Sequence, residues 1–425
     1  MKFALASYGT RGDIEPSLAV GRELLRRGHE VRMAVPPNFL RLAEEAGFTP
    51  VAYGPNLQEY LDEELLRDFR KSVFRNIWTI WEPIRLWRQA WEPHLRSWPE
   101  MSRTLTSLAD GADLLFTGLI YQELAANVAE HFDIPLATLH YFPARPNGHV
   151  VPILPSPLIR SAMMVYDWVC WRITKTAEDA QRRELGLPKA TSPSPRRIAE
   201  RGSLEIQAYD EACFPGLAAE WAKWGDRRPF VGALTMGLAT SADDEVASWI
   251  AEGTPPICFA FGSMPVAESP ADTVEMISTA CAQLGERALV CAGGTDLSGV
   301  PHFDHVKVVG TVNYATTFPA CRAVVHHGGS GTTALGLRAG IPTLILWTAG
   351  DQPYFGAQVK RLKVGTSRRF SSTTRESLVT DLRQILAPEY AARARELATR
   401  MTEPAESVAR AADVVEDFAR LRHVV

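Results

Sequence analysis

Short apolar runs alternate with helical spacings along much of the chain. Lys2 to Ser7 reads as a buried strand, and Gly9, Gly12 and Pro16 punctuate a loop after it. From Ser17 to Arg27, Leu18, Val20, Leu24 and Leu25 fall at helical spacing, and Gly28 ends the run. Glu30 to Val35 is the next strand. Strand, loop, helix and strand in so short a span predict a βαβ unit with a parallel sheet. Phe39 to Ala46 reads as helix and Thr49 to Tyr53 as extended. Asp113 to Thr117, a helix over Tyr121 to His131, and Pro135 to Leu139 repeat the theme.

The middle of the chain reads differently. Residues 143–160 and 186–202 are proline-rich and predict loops, before strands at Leu204 to Tyr209 and Phe230 to Gly232. Residues 235–254 are polar and small, and read as a linker. The alternation then restarts. Strands are expected at Pro256 to Phe261, Ala288 to Cys291, Val306 to Val309, Ala323 to His326 and Thr343 to Leu346. Helices are expected over Thr273 to Leu284 and Gly331 to Ala339, with an amphipathic helical tail from Ala391 to Arg422. The fold class is α/β, with two doubly wound, Rossmann-like domains facing across a cleft. The expected division is 1–234, linker 235–254, 255–404, and a final helix over 405–425. Ligands of such sheets bind at the carboxyl ends of the strands.

Composition narrows the picture only a little. The 425 residues carry a net charge of −4, are 46% hydrophobic and 22% charged, and suit a globular protein with no general pull toward nucleic acid. Six cysteines form no Cys-x-x-Cys pair, so no zinc or redox motif is signalled. No apolar run is long enough for a membrane span, and the N-terminal run is too short for a signal peptide. A soluble cytoplasmic protein fits best. The eleven tryptophans are uneven: Trp78, Trp81, Trp87, Trp91 and Trp98 crowd into one stretch.

Three segments can carry chemistry. His326-His327-Gly328-Gly329-Ser330-Gly331-Thr332-Thr333 joins a strand to a helix. Its glycines allow close backbone approach, and the helix start offers open N–H groups to a phosphate. The alternative is a glycine-rich turn with an exposed histidine. The run is neither a P-loop nor a nucleophile elbow, since no Gly-Lys-Ser/Thr follows and Thr332 replaces the last elbow glycine. Gly9-Thr10-Arg11-Gly12-Asp13-Ile14-Glu15-Pro16 places a carboxylate at the end of the first strand. Asp13 suits a general base or a helix cap, and Thr10 and Arg11 suit an anion. Asp351-Gln352-Pro353 suits sugar hydroxyls, or a turn.

Together, GTRGDIEP, HHGGSGTTALGLRAGIP and DQPYFGAQV resemble the family-one nucleotide-sugar glycosyltransferases of GT-B architecture. The branch holding bacterial antibiotic, mycobacterial glycopeptidolipid and sterol glycosyltransferases is the most similar. The resemblance covers 1–55, 112–148 and 256–370. It implies that Asp13 is the base and that the Thr10-Arg11-Gly12 loop serves the site. It implies that His327 and the backbone of Gly328, Gly329, Ser330, Gly331 and Thr332 hold the donor pyrophosphate. Gly262 and Ser263 match a strand-end pair that touches phosphates. Val312 matches a residue whose backbone meets the base, and Asp351 and Gln352 would bind the donor sugar. The final helix would cross back to the first domain. Two departures stand out: Thr117-Gly118 offers no carboxylate partner to the base, and Leu335 replaces an acidic donor contact. His140, at another strand end, either assists Asp13 or is structural.

The resemblance implies inversion at the anomeric carbon. No cofactor or metal is expected beyond the nucleotide sugar, with UDP-glucose favoured over a dTDP-deoxysugar. The sequence has no Asp-x-Asp signature, and Asp243-Asp244 read as solvated linker residues. The acceptor is expected to be hydrophobic: a polyketide such as a macrolide or ansamycin, a lipopeptide, a glycolipid or a sterol. Trp78, Trp81 and Trp87, with Tyr141 and Phe142, are the acceptor-site candidates. Pro83, Pro93 and Pro99 break the tryptophan stretch into short pieces, and interleaved arginines also suit a peripheral membrane contact. A core-facing helix pair is the third reading. A nucleotide-sugar epimerase of the same architecture and a non-catalytic nucleotide-sugar-binding protein are the competing functions. Oligomeric state is not legible.

Overall fold

The computed structural model describes residues 1–56, 81–151, 154–261, 270–293, 301–348 and 350–423. Two six-stranded sheets carry the fold, and every strand pairing within them is parallel. The first sheet holds β1 (Lys2–Ala6), β2 (Glu30–Val35), β3 (Val51–Ala52), β4 (Leu114–Thr117), β5 (Leu136–His140) and β6 (Leu204–Gln207), in the order β3-β2-β1-β4-β5-β6. The second holds β7 (Ile257–Ala260), β8 (Ala288–Cys291), β9 (Val306–Val309), β10 (Ala323–His326), β11 (Thr343–Trp347) and β12 (Gly365–Arg369), in the order β12-β11-β10-β7-β8-β9. Central strands such as β1, β4, β7 and β10 are buried along almost their whole length, which is why their sequences are continuously apolar. Strand order reverses between β1 and β4, and again between β7 and β10. The loops leaving β1 and β10 therefore sit at the switch points, where open α/β sheets bind ligands.

Eight helices matter below: α1 (Arg11–Arg26), α2 (Trp81–Ala109), α3 (Gln122–His131), α4 (Ser156–Glu184), α5 (Asp243–Ala251), α6 (Ser330–Arg338), α7 (Gln352–Leu362) and α8 (Pro404–His423). Several differ from expectation. Helix α1 starts at Arg11, inside the expected loop, and carries Pro16. This places Asp13 in the first helical turn. Helix α2 runs unbroken through Pro83, Pro93 and Pro99. An interior proline costs about 3 kcal/mol, and burial of Trp98, Met101, Leu105 and Ala109 opposes that cost. Helix α4 begins inside the expected loop over 143–160 and runs on through 161–184, where no element is expected. Residues 235–254 are more than a linker, because α5 lies there and buries Val246 and Ile250 against the second domain. Asp243 is not simply solvated: it accepts from Thr240 N at 2.7 Å and Asn313 N at 2.8 Å.

The last helix returns to the first domain. Ala411, Ala412, Val415, Phe418 and Ala419 join a core with Phe3, Leu18 and Leu24. Arg27 donates to Asp413 at 2.7 Å and to Glu416 at 3.0 Å, and His29 bonds Glu416. The domains also meet elsewhere. Asp210 accepts from Thr402 N at 2.6 Å, Arg338 donates to Ala233 O at 2.7 Å, and Gln358 donates to His149 O at 3.0 Å. These ties set the cleft between the two strand ends.

Candidate active site

The first wall of the site follows β1. Gly9 has φ +137°, and a Cβ there would lie 2.3 Å from Asp13 Oδ2, so only glycine fits. Thr10 precedes α1 and donates twice to that oxygen, from its backbone N at 2.7 Å and from Oγ1 at 2.9 Å. Among the described residues Asp13 Oδ1 receives no hydrogen bond. Burial pushes the Asp13 pKa up to about 6, against the pull of the two Thr10 bonds. Oδ2 anchors the loop, and Oδ1 is left to face the cleft as a base would need.

Tyr141, expected at the acceptor, instead supports this loop. Its hydroxyl donates to the Asp13 carbonyl at 2.8 Å. A Cβ at Gly118 would sit 2.7 Å from that hydroxyl, so Gly118 leaves the space Tyr141 fills. Thr10 and Arg11 are engaged with their own loop: Thr10 with Asp13, and Arg11 with Glu15 at 3.1 Å. Gly12 is exposed beside them. Glu15 also accepts from Met236 N at 2.7 Å, which ties α1 to the interdomain segment.

The facing wall follows β10. His326 is fully buried and accepts from Gly328 N at 3.0 Å. Gly328 has φ +95°, and a Cβ there would meet Ile345 Cγ2 at 2.7 Å. Gly329 supplies no capping side chain to α6. The first-turn amides of Ser330, Gly331 and Thr332 therefore keep the open donors of a helix start, next to its positive dipole end. His327 is driven down to about pKa 4 by burial, although its ring reaches the Ala260 carbonyl. Among the described residues its Nδ1 is buried with no partner. With the ring N–H on Ala260, Nδ1 is a lone pair in the neutral ring, and protonation beside an incoming phosphate would make it a donor next to the uncapped helix start.

The third wall begins α7. Gln352 is held by Thr348, which donates from N at 2.8 Å and from Oγ1 at 3.0 Å. Asp351 is raised to about pKa 7, first by burial and then by the Asp13 charge. The Asp13 carboxyl thus lies within electrostatic range of Asp351. Phe142 stacks on Tyr354 with ring centroids 5.9 Å apart, so the walls touch at this end. Val312 is buried near Tyr314 and Phe318.

Some expected residues are not brought together. His140 does not face Asp13. It is fully buried at the edge of β5, with Thr138 Oγ1 3.2 Å from Nε2 and Gln207 Nε2 3.5 Å from Nδ1. Burial pulls its pKa down to about 3, with nearby Arg145 adding to the effect. Trp98 is likewise core and donates to Gln181 at 3.1 Å. Trp78, Gly262 and Ser263 lie outside the described residues, as do the side chains of Trp81 and Trp87. Two contributions were missed in the sequence: the support that Tyr141 gives Asp13 carries no signal there, whereas Tyr354 could have been read off the Asp-Gln-Pro-Tyr run. Among the described residues no cluster suits a metal ion, and no helix is long and apolar enough to cross a membrane.

Comparison with known proteins agrees with this geometry. Residues 3–99 match the Glycosyltransferase family 28 N-terminal domain, and residues 287–421 match the C-terminal domain of erythromycin biosynthesis protein CIII-like proteins. The chain is 63% identical to an uncharacterised glycosyltransferase of Mycobacterium tuberculosis over 99% of both chains. It is 29% identical to a sterol 3-beta-glucosyltransferase of Arabidopsis thaliana, over 97% of this chain and 67% of that protein. The calicheamicin glycosyltransferase CalG4 shares the fold, with a TM-score of 0.70 at 19% identity over 98% of each chain.

Proposed function

Because the chain belongs to the family-one glycosyltransferases of GT-B fold, we propose that it moves a hexose from a nucleotide sugar to a hydroxyl of a hydrophobic natural product or lipid, with inversion. The observation that carries the reading is Asp13 at one switch point, its Oδ1 without a hydrogen bond among the described residues, together with the uncapped start of α6 at the other.

The chemistry follows from their roles. The acceptor oxygen attacks the anomeric carbon while its proton passes to Asp13 Oδ1. The bond from that carbon to the phosphate oxygen breaks, and the nucleoside diphosphate leaves with the electron pair. A pKa of about 6 leaves Asp13 ionised at neutral pH yet more basic than an ordinary aspartate. His327, once protonated, and the amides of Gly329, Ser330, Gly331 and Thr332 take the growing charge on the leaving group, with no metal required; the Gly328 amide is spent on His326. Asp351 and Gln352 receive sugar hydroxyls, which favours UDP-glucose. The sterol glucosyltransferase relative supports that choice, and the neighbouring fold crystallised with dTDP, VinC, supports a dTDP-sugar as runner-up. His140 holds the sheet edge and takes no proton in this account.

The tryptophan-rich stretch that includes Trp78, Trp81 and Trp87 remains the acceptor candidate, together with Phe142. Exposed Leu154, and Leu158, Met164, Val165, Tyr166 and Trp168 along α4, support contact with an apolar acceptor or the membrane surface carrying it. The test is incubation with UDP-glucose and dTDP-sugars against a panel of apolar alcohols. Release of nucleoside diphosphate with a glycosylated product is expected. Absence of both, from folded protein that binds no nucleoside diphosphate, overturns the reading.

A further inference from the structure

The chain crosses between the two sheets twice, once after β6 and once before α8. The crossings meet at Gly232, which has φ +83° and where a Cβ would lie 2.4 Å from Ser407 Oγ and 2.8 Å from Thr402 Cβ. Asp210, fully inside this junction, holds both: Oδ1 accepts from Thr402 N at 2.6 Å and Oδ2 from Ala233 N at 3.3 Å. Arg338, the last residue of α6, enters the same place. It donates to Ala233 O at 2.7 Å, to Ser407 Oγ at 3.1 Å and to Thr235 Oγ1 at 3.4 Å, and lies 3.7 Å from Asp210 Oδ2. Its side chain is only 10% exposed, so water competes little for these bonds.

The other end of α6 is the uncapped helix start, about 12 Å away at 1.5 Å per residue. Met236, next along the first crossing, is tied the opposite way. Its N–H donates to Glu15 Oε1 at 2.7 Å. Glu15 stands two residues after Asp13 in α1, and its Oε2 takes Arg11 Nε at 3.1 Å. Ala233 to Met236 is therefore gripped by the phosphate-side helix at 233 and 235 and by the base-side helix at 236. Between the grips, Leu234 is buried in the core of the first domain. Close-packed interiors transmit a displacement rather than absorb it.

We propose that residues 233–236 brace Asp13 against the start of α6, and that Glu15 and Arg338 are positioning residues for glycosyl transfer. The inference rests on the transfer reading above. Neither side chain touches substrate; each acts through the helix that carries it. The nucleotide is held by groups of the second domain, and cutting the brace leaves those in place. What changes is the fraction of complexes in which acceptor, base and leaving group line up. A misplacement of about 1 Å can cost about a hundredfold in rate. Gln358 still donates to His149 O, and Arg27 still holds α8, when the brace is cut, so the chain keeps its fold.

Glu15→Ala and Arg338→Met cut the two ends. Each should lower kcat by about tenfold to a hundredfold, with UDP and dTDP affinity within about twofold of wild type. The double variant should be no more than about twofold slower than the slower single one, because both cut one brace. Glu15→Gln keeps an oxygen for Met236 N and should stay within about threefold of wild type. Arg27→Gln loosens α8 without touching the brace, so it should lower Tm and leave kcat in place. That contrast separates positioning from plain stability. Where Arg338→Met fails to fold, Glu15→Ala against Glu15→Gln decides. A second readout needs no turnover. Arg41 and Arg375 are exposed on the two domains, and every cysteine except Cys170 is buried. In a Cys170→Ser background, spin labels at Arg41→Cys and Arg375→Cys report the interdomain distance by electron paramagnetic resonance. The distribution should broaden with Glu15→Ala and keep its wild-type width with Glu15→Gln. An unbroadened distribution, an unchanged kcat in folded Glu15→Ala, multiplied losses in the double variant, or an equal loss in Arg27→Gln overturns the inference. Wild-type protein that neither turns over nor binds nucleoside diphosphate overturns the transfer reading instead, and the distance measurement still reports on the brace.

Discussion

Replacing Thr10 with valine removes one of the two hydrogen bonds on Asp13 Oδ2 and leaves the other. The lost bond is the Oγ1 contact at 2.9 Å; the backbone N–H at 2.7 Å remains. A hydrogen bond to a charged group is worth about 1.5–3 kcal/mol, and each pKa unit is about 1.4 kcal/mol. The cleft is partly open to solvent, so the lower end applies, about one unit. Both Thr10 bonds favour the ionised carboxyl, hence their loss raises the pKa. The acid limb of kcat/KM, near about 6 in the wild type, should move to about 7 in Thr10→Val. The variant then falls to roughly a fifth of wild-type activity near pH 6 and matches it above about pH 8. Asp351 titrates in the field of Asp13, so each limb belongs to the pair. Losing the Thr10 hydroxyl at the helix start also lowers stability by about 1 kcal/mol. That appears in Tm and does not move the limb, and Thr10→Ser restores both. The assay is the pH profile of nucleotide release under subsaturating acceptor. An unmoved limb, or a loss that persists at high pH, refutes the role given to this loop.

Other expectations are simpler. Asp13 and Asp351 have folded pKa values above their ordinary ones, so the folded state holds protons that the unfolded chain has released. Their share of stability is present below about pH 4 and is lost as pH rises through about 6 to 7. Asp13→Asn should therefore raise Tm relative to wild type near pH 8, with the gap closing near pH 4; calorimetry at both values checks it. His327→Ala should weaken UDP or dTDP binding by about tenfold or more at unchanged Tm, read by calorimetric titration. Gly328→Ala forces a side chain into φ +95° and onto Ile345, so Tm and nucleotide binding should fall together. Chelation with EDTA should leave turnover unchanged.

The parallel strands were the most legible part of the chain. β2, β8, β9 and β10 span the residues that the alternation of strands and helices predicted. The misses have common causes. β12 carries Ser367, Arg368 and Arg369 because it is an edge strand, half-exposed, and so shows no apolar run. Helix α4 leaves Leu158, Val165 and Trp168 exposed, which blurs its periodicity and hides it among the neighbouring prolines. Gly12 and Pro16 mark a loop by composition, yet Gly12 sits in the first turn of α1 and Pro16 in its interior. The missing N–H of Pro16 removes one ladder bond there, and its burial helps to offset the cost. At the site, Asp13, His327 and Asp351 were readable because three separate motifs coincide. His140 was ambiguous, since strand-end position alone does not reveal which way a ring turns. The partners of Asp13 are long-range. Only the folded chain shows that Gly118 makes room for Tyr141.

The most direct test of the account is the anomeric configuration and rate of glucoside formed from UDP-α-glucose, by wild-type protein and by Asp13→Asn. Nuclear magnetic resonance of the product should show the β-glucoside, and Asp13→Asn should be slower by about 10²–10⁴-fold while keeping its fold and UDP affinity. An α-glucoside, or full turnover by folded Asp13→Asn, would contradict inversion with Asp13 as the base.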